Sequence, residues 1–242
     1  MFDINKFKEE GYIIIEKFIP QNYIEVASNL CVELKNFNDS KLTNGKPSGS
    51  ISYWKGLDMA STYSLELFSL YTSDLMFNIA TSFLETNEPY LFNDQIVVKL
   101  PNDNFKFEPH TDNMRGPNPK AATLGNFKTI TCCWVLDDFT KDNGPISILN
   151  TKTNKWETPL PNKGDLLIWG GNTLHSSTLN KTTEARKVWL QIYSTEDLTK
   201  VSDDKNFDDT RFYGQKFVLG MQPPIKTIDY MTYNFKSKKN LF

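Results

Sequence analysis

Pro109-His110-Thr111-Asp112 is the stretch on which the reading of this chain turns. Side chains at i and i+2 of an extended segment leave from one face, so His110 and Asp112 can converge on a single metal ion if the chain is a strand there. The sequence holds 2 histidines in all, and the other is His175, in Thr173-Leu174-His175-Ser176-Ser177. Two imidazoles and one carboxylate make a facial triad, the donor set of non-haem Fe(II) sites that leaves three positions of an octahedron open. Beyond His175 stands Arg186, whose planar guanidinium suits a carboxylate. His-x-Asp alone occurs by chance. It gains weight because the other histidine lies in the right kind of segment, with an arginine after it.

Outward from this stretch the pattern is one of short strands. Phe105-Lys106-Phe107-Glu108 alternates apolar and polar and runs into His110, and Ile96 to Leu100 is a β-branched run before it. Asn113 to Asn126, with Gly116, Pro117 and Pro119, reads as a loop. Phe127 to Leu136 reads as a long strand with Thr129, Thr131 and Cys133 on one face and Ile130, Cys132 and Trp134 on the other. Asn143-Gly144 is a turn signal before the strand Ile146 to Leu149. Lys163-Gly164 turns into Asp165 to Trp169, and Lys187 to Tyr193 is the last clear strand. Toward the N-terminus, Gly11 to Glu16 reads as a buried strand. Pro20 precedes a helix with Ile24, Ala27, Cys31 and Leu34 on one face, and residues 38–50 read as a loop. One helix is expected from about Ser64 to Glu85, with Leu65, Phe68, Leu75, Ile79 and Phe83 as its stripe, and Tyr53 and Trp54 before it read as packing residues. The tail from Val201 is expected to be a surface segment followed by a piece that packs back. Many short strands after N-terminal helices imply a mainly β chain, a jelly roll with helices on one side, forming a single domain over 1–242.

Composition narrows the function classes. Apolar residues at 39 % and aromatics at 13 % of 242 residues suffice for a substantial core. A net charge of −2 gives no electrostatic reason to expect nucleic acid or an anionic membrane as partner. There is no apolar run long enough to cross a bilayer. Met1 to Lys6 lacks a signal-peptide pattern, and Asn240-Leu241-Phe242 is not a peroxisomal address. Cys31, Cys132 and Cys133, an odd set with two adjacent, make no disulfide framework and fit a reducing cytoplasm.

These motifs resemble a known family, the phytanoyl-CoA dioxygenase-like Fe(II)/2-oxoglutarate oxygenases, over roughly Phe7 to Tyr193. The resemblance runs through Phe7-Lys8-Glu9-Glu10-Gly11-Tyr12-Ile13-Ile14-Ile15, Gln95-x-x-x-Lys99-x-Pro101, Trp134-Val135-Leu136-Asp137-Asp138 and Asn143-Gly144-Pro145. Most specific is Gly164-Asp165-Leu166-Leu167 followed by His175-Ser176-Ser177, Asn180 and Arg186. The resemblance implies a cupin-like double-stranded β-helix, iron ligands His110, Asp112 and His175, O2 as oxidant, and 2-oxoglutarate held at its distal carboxylate by Arg186 with help from Ser177. Where the family carries Pro-Gly-Ser-His, this chain reads Asn150-Thr151-Lys152-Thr153, which removes any ground for borrowing a substrate. Related halogenases lack the carboxylate, so Asp112 implies hydroxylation of a small molecule with release of succinate and CO2.

Further site candidates come with alternatives. Gln95 and Lys99 share a strand face and would line the cosubstrate pocket; Lys99 is otherwise a solvated charge. Arg115 and Lys120 sit in the loop leaving Asp112, where they would bind an anionic substrate group or stay solvated. Arg186 is otherwise a surface partner of Glu184, and Ser177 an ordinary turn or strand hydroxyl. Two other classes compete: a non-catalytic jelly-roll binding module, and a Zn(II) hydrolase on the same ligands, which leaves Arg186 unexplained.

Overall fold

Gly11, held at φ 82, ends the first helix, α1 (Ile4–Glu10), and starts the first strand, β1 (Tyr12–Ile15). Glycine tolerates that left-handed turn at little steric cost. In the computed structural model the described residues are 2–42, 51–52, 60–112, 128–196 and 215–221. After Pro20 comes α2 (Gln21–Leu42), with Ile24, Ala27 and Cys31 buried as the sequence predicts. It runs through positions 38–42, which composition assigned to a loop. Asn and Ser disfavour helix only weakly, and a helix anchored by a packed face carries such residues along.

The helix expected over Ser64 to Glu85 is two helices, α3 (Leu65–Tyr71) and α4 (Asp74–Leu84), preceded by a 3-10 turn at Ala60–Tyr63. The break falls at Thr72-Ser73. Ser73 caps α4 by accepting from Met76 N–H at 3.4 Å, and its hydroxyl donates back to the Leu70 carbonyl at 2.9 Å. A serine that satisfies both helix ends favours the interruption over continuation.

Before these helices comes β2 (Ile51–Ser52), and after them come β3 (Tyr90–Lys99), β4 (Phe107–His110), β5 (Thr129–Val135), β6 (Ile146–Asn150), β7 (Lys155–Glu157), β8 (Leu166–Gly170), β9 (His175–Ser177), β10 (Arg186–Ser194) and β11 (Gln215–Lys216). They form two antiparallel sheets. The larger has the order β1-β8-β5-β10-β3-β11 with β2 beside β3, and the smaller has β4-β9-β6-β7. From β3 to β10 the chain passes back and forth between the sheets as a jelly roll does, with β6 and β7 a hairpin within the smaller one. Alternation along β5 separates two cores. Ile130, Cys132 and Trp134 face the helices, while Cys133 and Val135 face the smaller sheet together with Val97, Leu167, Trp169 and Val188. Tyr12 joins the sheets at one edge, its hydroxyl donating to Glu157 at 2.5 Å. The described part of the tail packs back: Phe217 is buried against Phe77 and Tyr193. Tyr53, Trp54 and most of the tail lie outside the described residues. No helix among the described residues is long and apolar enough to cross a membrane.

One buried carboxylate ties β3 to both the helical layer and β10. Asp94 accepts from Ser61 N–H at 3.0 Å, Ser61 Oγ at 2.6 Å and Trp189 Nε1 at 2.7 Å. Burial raises its pKa to about 6 despite these donors. We predict that Asp94→Ala, which strands those donors, costs on the order of 2–4 kcal/mol in denaturant unfolding. Because the folded pKa lies above the unfolded one, the folded state binds more protons between about pH 4 and 6. The stability difference between parent and variant should therefore grow as pH falls through that window.

Candidate metal centre

The two histidines meet through strand register. β4 pairs antiparallel with β9, and His110 lies directly opposite His175. Their ring centroids are 4.3 Å apart. Asp112 follows two residues after the end of β4 and turns inward, so that Asp112 Oδ1 is 3.5 Å from His175 Nε2. One ligand atom from each of His110, Asp112 and His175 lies within 4.8 Å of the others, the geometry of a site that could hold a metal ion. The i, i+2 expectation that His110 and Asp112 converge is met, although Asp112 sits beyond the strand rather than in it.

Each ring is oriented by the backbone two residues before it. Nδ1 of His110 is 2.7 Å from the Glu108 carbonyl, and Nδ1 of His175 is 3.0 Å from the Thr173 carbonyl. A carbonyl has no proton to give, so Nδ1 carries the hydrogen in both rings and Nε2 keeps its lone pair. Burial holds the His175 imidazole below its usual pKa, with Asp112 opposing, so the neutral, ligating form is favoured. Thr173 is fixed in turn: its hydroxyl donates to the Gly11 carbonyl at 2.9 Å. Asp112 Oδ2 accepts from Thr131 Oγ1 at 2.7 Å and from Trp169 Nε1 at 2.8 Å.

Beside the triad lie two buried cations. Arg186 and Lys99 are register partners across β10 and β3. Arg186 is 1 % exposed, which removes the surface ion-pair reading with Glu184. Its Nη2 donates to the Gly144 carbonyl at 2.8 Å and its guanidinium lies 4.9 Å from the Phe139 ring centroid, but Nε and Nη1 have no hydrogen-bond partner among the described residues. Lys99 is fully buried, not solvated; its ammonium donates to Ser177 Oγ at 2.8 Å and to the Thr178 carbonyl. Burial, and then the charge of Arg186, lowers its pKa to about 7. Burial also lowers that of Arg186, to about 10. The Asn143-Gly144 turn covers this pair: Gly144 is at φ 75, and a Cβ there would meet the Thr178 carbonyl at 2.8 Å and Lys99 Cδ at 2.9 Å.

Ser177 thus touches Lys99 and, as the opposite of Phe107 in β4, sits on the strand that carries His175. Gln95 shares the Lys99 face of β3 with Val97 and is half-buried, with Leu190 as its register partner. Arg115 and Lys120 lie outside the described residues. Sequence reasoning missed Trp169 and Thr131 as partners of Asp112. Strand alternation places both on inward faces, but which inward side chain meets the carboxylate depends on the sheets' packing.

No family model matches the chain, and no curated protein does. Among solved structures it is similar to the α-ketoglutarate-dependent epimerase SnoN from nogalamycin biosynthesis, solved in complex with Fe3+, α-ketoglutarate and nogalamycin RO. The TM-score is 0.64 at 14 % identity, over 90 % of this chain and 94 % of that one. EctD from S. alaskensis gives a TM-score of 0.67 at 14 % identity, over 91 % and 86 %. The non-haem monooxygenase ThoJ, a nickel complex, gives 0.64 at 12 % identity, over 97 % and 95 %. The shared feature is the fold. This chain is a jelly roll with the architecture of those three proteins. The likeness to the phytanoyl-CoA dioxygenase family rests on the motifs alone.

His175→Ala deletes one of three donors while leaving β9 its backbone bonds. We predict that it weakens divalent metal binding by about a hundredfold or more, read by fluorescence titration, with an unchanged circular dichroism spectrum. Parent-like affinity in this variant would remove His175 from the site.

Proposed function

We propose that the chain is a non-haem Fe(II)- and 2-oxoglutarate-dependent oxygenase that hydroxylates a C–H bond of a small molecule. Arg186 carries the reading: a guanidinium buried without a carboxylate partner among the described residues, with two nitrogens unpaired, next to a three-ligand metal site. Burying an unpaired cation is costly, and an anionic ligand offsets that cost. A Zn(II) hydrolase would need neither Arg186 nor Lys99.

The residues fit the two groups. His110 Nε2, His175 Nε2 and Asp112 Oδ1 would hold Fe(II), leaving three positions of an octahedron. Arg186 would pair with the distal carboxylate of 2-oxoglutarate, with Ser177 and Lys99 completing its contacts and Gln95 on the same wall. With both bound, the site supplies O2-driven C–H oxidation with release of succinate and CO2. Phe105 and Phe107, edge-to-face at 5.2 Å with Lys99 Nζ 5.9 and 5.8 Å from their ring centroids, shield that wall from water. This keeps the charge pairing strong. In the same proposal Arg115 and Lys120 contact an anionic group on the substrate.

The direct test is succinate formation with Fe(II), 2-oxoglutarate and O2 across candidate substrates; its absence with all of them, alongside absent 2-oxoglutarate binding, would refute the reading. Truncating one partner of a buried charge pair costs about 2–5 kcal/mol. Arg186→Leu should therefore raise the 2-oxoglutarate dissociation constant tenfold or more with metal affinity little changed, measured by anaerobic calorimetry. Lys99 gives a pH dependence. A bound dianion favours its protonated form, so 2-oxoglutarate affinity should fall as pH rises above about 7, by up to about tenfold per unit. Lys99→Met should flatten that slope.

A further inference from the structure

The two oxygens of Asp112 have different surroundings. Oδ1 points toward His175 Nε2, 3.5 Å away. Oδ2 accepts from Thr131 Oγ1 at 2.7 Å and from Trp169 Nε1 at 2.8 Å. These donors are themselves opposed, since Thr131 and Trp169 are register partners across β5 and β8. Asp112 follows a strand of the smaller sheet, and both donors belong to the larger one. The carboxylate is thus gripped from across the sandwich by a matched cross-strand pair.

A carboxylate oxygen offers about two lone-pair sites, and two short donors fill those of Oδ2. We propose that Thr131 and Trp169 are positioning residues that restrict Asp112 to coordination through Oδ1 alone. The inference rests on the metal-dependent function above and deepens it. If Oδ2 were free, it could swing onto the same metal and occupy a fourth position. Two positions would then remain. A cosubstrate that chelates through two oxygens would fill both and leave none for O2. The hydroxyl and indole thereby keep the coordination sphere open without touching the metal.

Trp169 has a second contact that separates this role from packing. Its ring lies 5.0 Å from that of His175 at 47°. Trp169→Phe keeps an aromatic face there and removes the N–H. Thr131→Val removes the hydroxyl at nearly constant shape, and Thr131→Ser restores it. If both residues only fill space, none of these changes should alter the coordination sphere.

The experiment uses Mn(II) as probe, with water-proton relaxation to count exchangeable waters on the bound ion and calorimetry to measure 2-oxoglutarate affinity. The parent should hold about three waters, six positions less three protein donors. Trp169→Phe/Thr131→Val should hold about one fewer and bind 2-oxoglutarate about tenfold or more weakly. Its Mn(II) affinity should be no weaker than the parent's, and Thr131→Ser should behave as the parent. Should the double variant melt below the assay temperature, Trp169→Phe alone decides, with the same changes at smaller size. An unchanged water count and unchanged 2-oxoglutarate affinity overturn the inference, as does a large loss of Mn(II) affinity with the water count kept. A parent that binds no Mn(II), or a His175→Ala variant that binds it as the parent does, overturns the metal centre itself and is told apart by that control.

Discussion

Lone pairs converging without a proton between them are the constraint around which the site is built. With each Nδ1–H committed to a backbone carbonyl, Nε2 of His175 faces Asp112 Oδ1 as acceptor against acceptor at 3.5 Å. That arrangement is repulsive until a cation sits in it. Two residues along β9 the sign reverses. Ser177 takes a hydrogen bond from Lys99, which is paired in register with Arg186, and the two cations share no carboxylate among the described residues. One pole calls for a metal ion and the other for an anion. A ligand that bridges metal and arginine with a carboxylate at each end relieves both. This electrostatic demand, with the unpaired Arg186 at its anion-seeking end, is the physical basis of the proposed 2-oxoglutarate site.

The fold meets the strain by fixing backbone. Direct opposition of His110 and His175 comes from antiparallel register, so neither histidine can move without its neighbour. The Glu108 and Thr173 carbonyls choose the tautomer. Thr173 is anchored to Gly11, whose carbonyl also receives the Gly170 N–H at 3.1 Å. The turn between α1 and β1, distant in sequence, therefore helps set the rotamer of a metal-ligand candidate. Such over-determined geometry is what a preorganised centre requires.

Much of this was legible in the sequence because the signals were local. Alternation in Thr129 to Trp134 separates the two cores, and a β-branched run bounded by Gly11 locates β1. His110, Asp112 and His175 were found by residue type and spacing. What escaped depended on packing. Period alone cannot show that Ser73 would satisfy two helix ends and split a helix. β9 has only three residues, too few for a pattern, so its histidine was recognised but its strand was not. Lys99 and Arg186 carry charge, and composition leaves open whether such side chains are solvated. Only their position on the inward faces of β3 and β10 buries them. The partners of Asp112 come from two strands separated in sequence, and no spacing rule links them to it.

The turn that departs from the family motif follows the same logic. Asn150 caps its own turn, its Oδ1 accepting from Lys152 N–H at 3.0 Å and Thr153 N–H at 3.1 Å. Thr151 then donates from its N–H to the Glu10 carbonyl at 3.0 Å and from its hydroxyl to the Glu9 carbonyl at 2.6 Å. Lys152 also reaches Glu9 at 2.6 Å, but both side chains are more than half exposed, so this ion pair adds little. The backbone contacts matter more, because they close the end of α1 against the strand that pairs with His175. A Cβ on Gly11 would meet Thr173 Oγ1 at 3.0 Å and Thr151 Cγ2 at 3.1 Å, so the three residues are packed as a unit. Asn150-Thr151-Lys152-Thr153 is thus committed to bracing the His175 side of the centre. A segment whose polar groups are spent on the protein's own backbone has few left to read a substrate. In the proposed function, reading the substrate is then left to other segments, Arg115 and Lys120 among them, while Phe105 and Phe107 beside Lys99 belong to the cosubstrate wall.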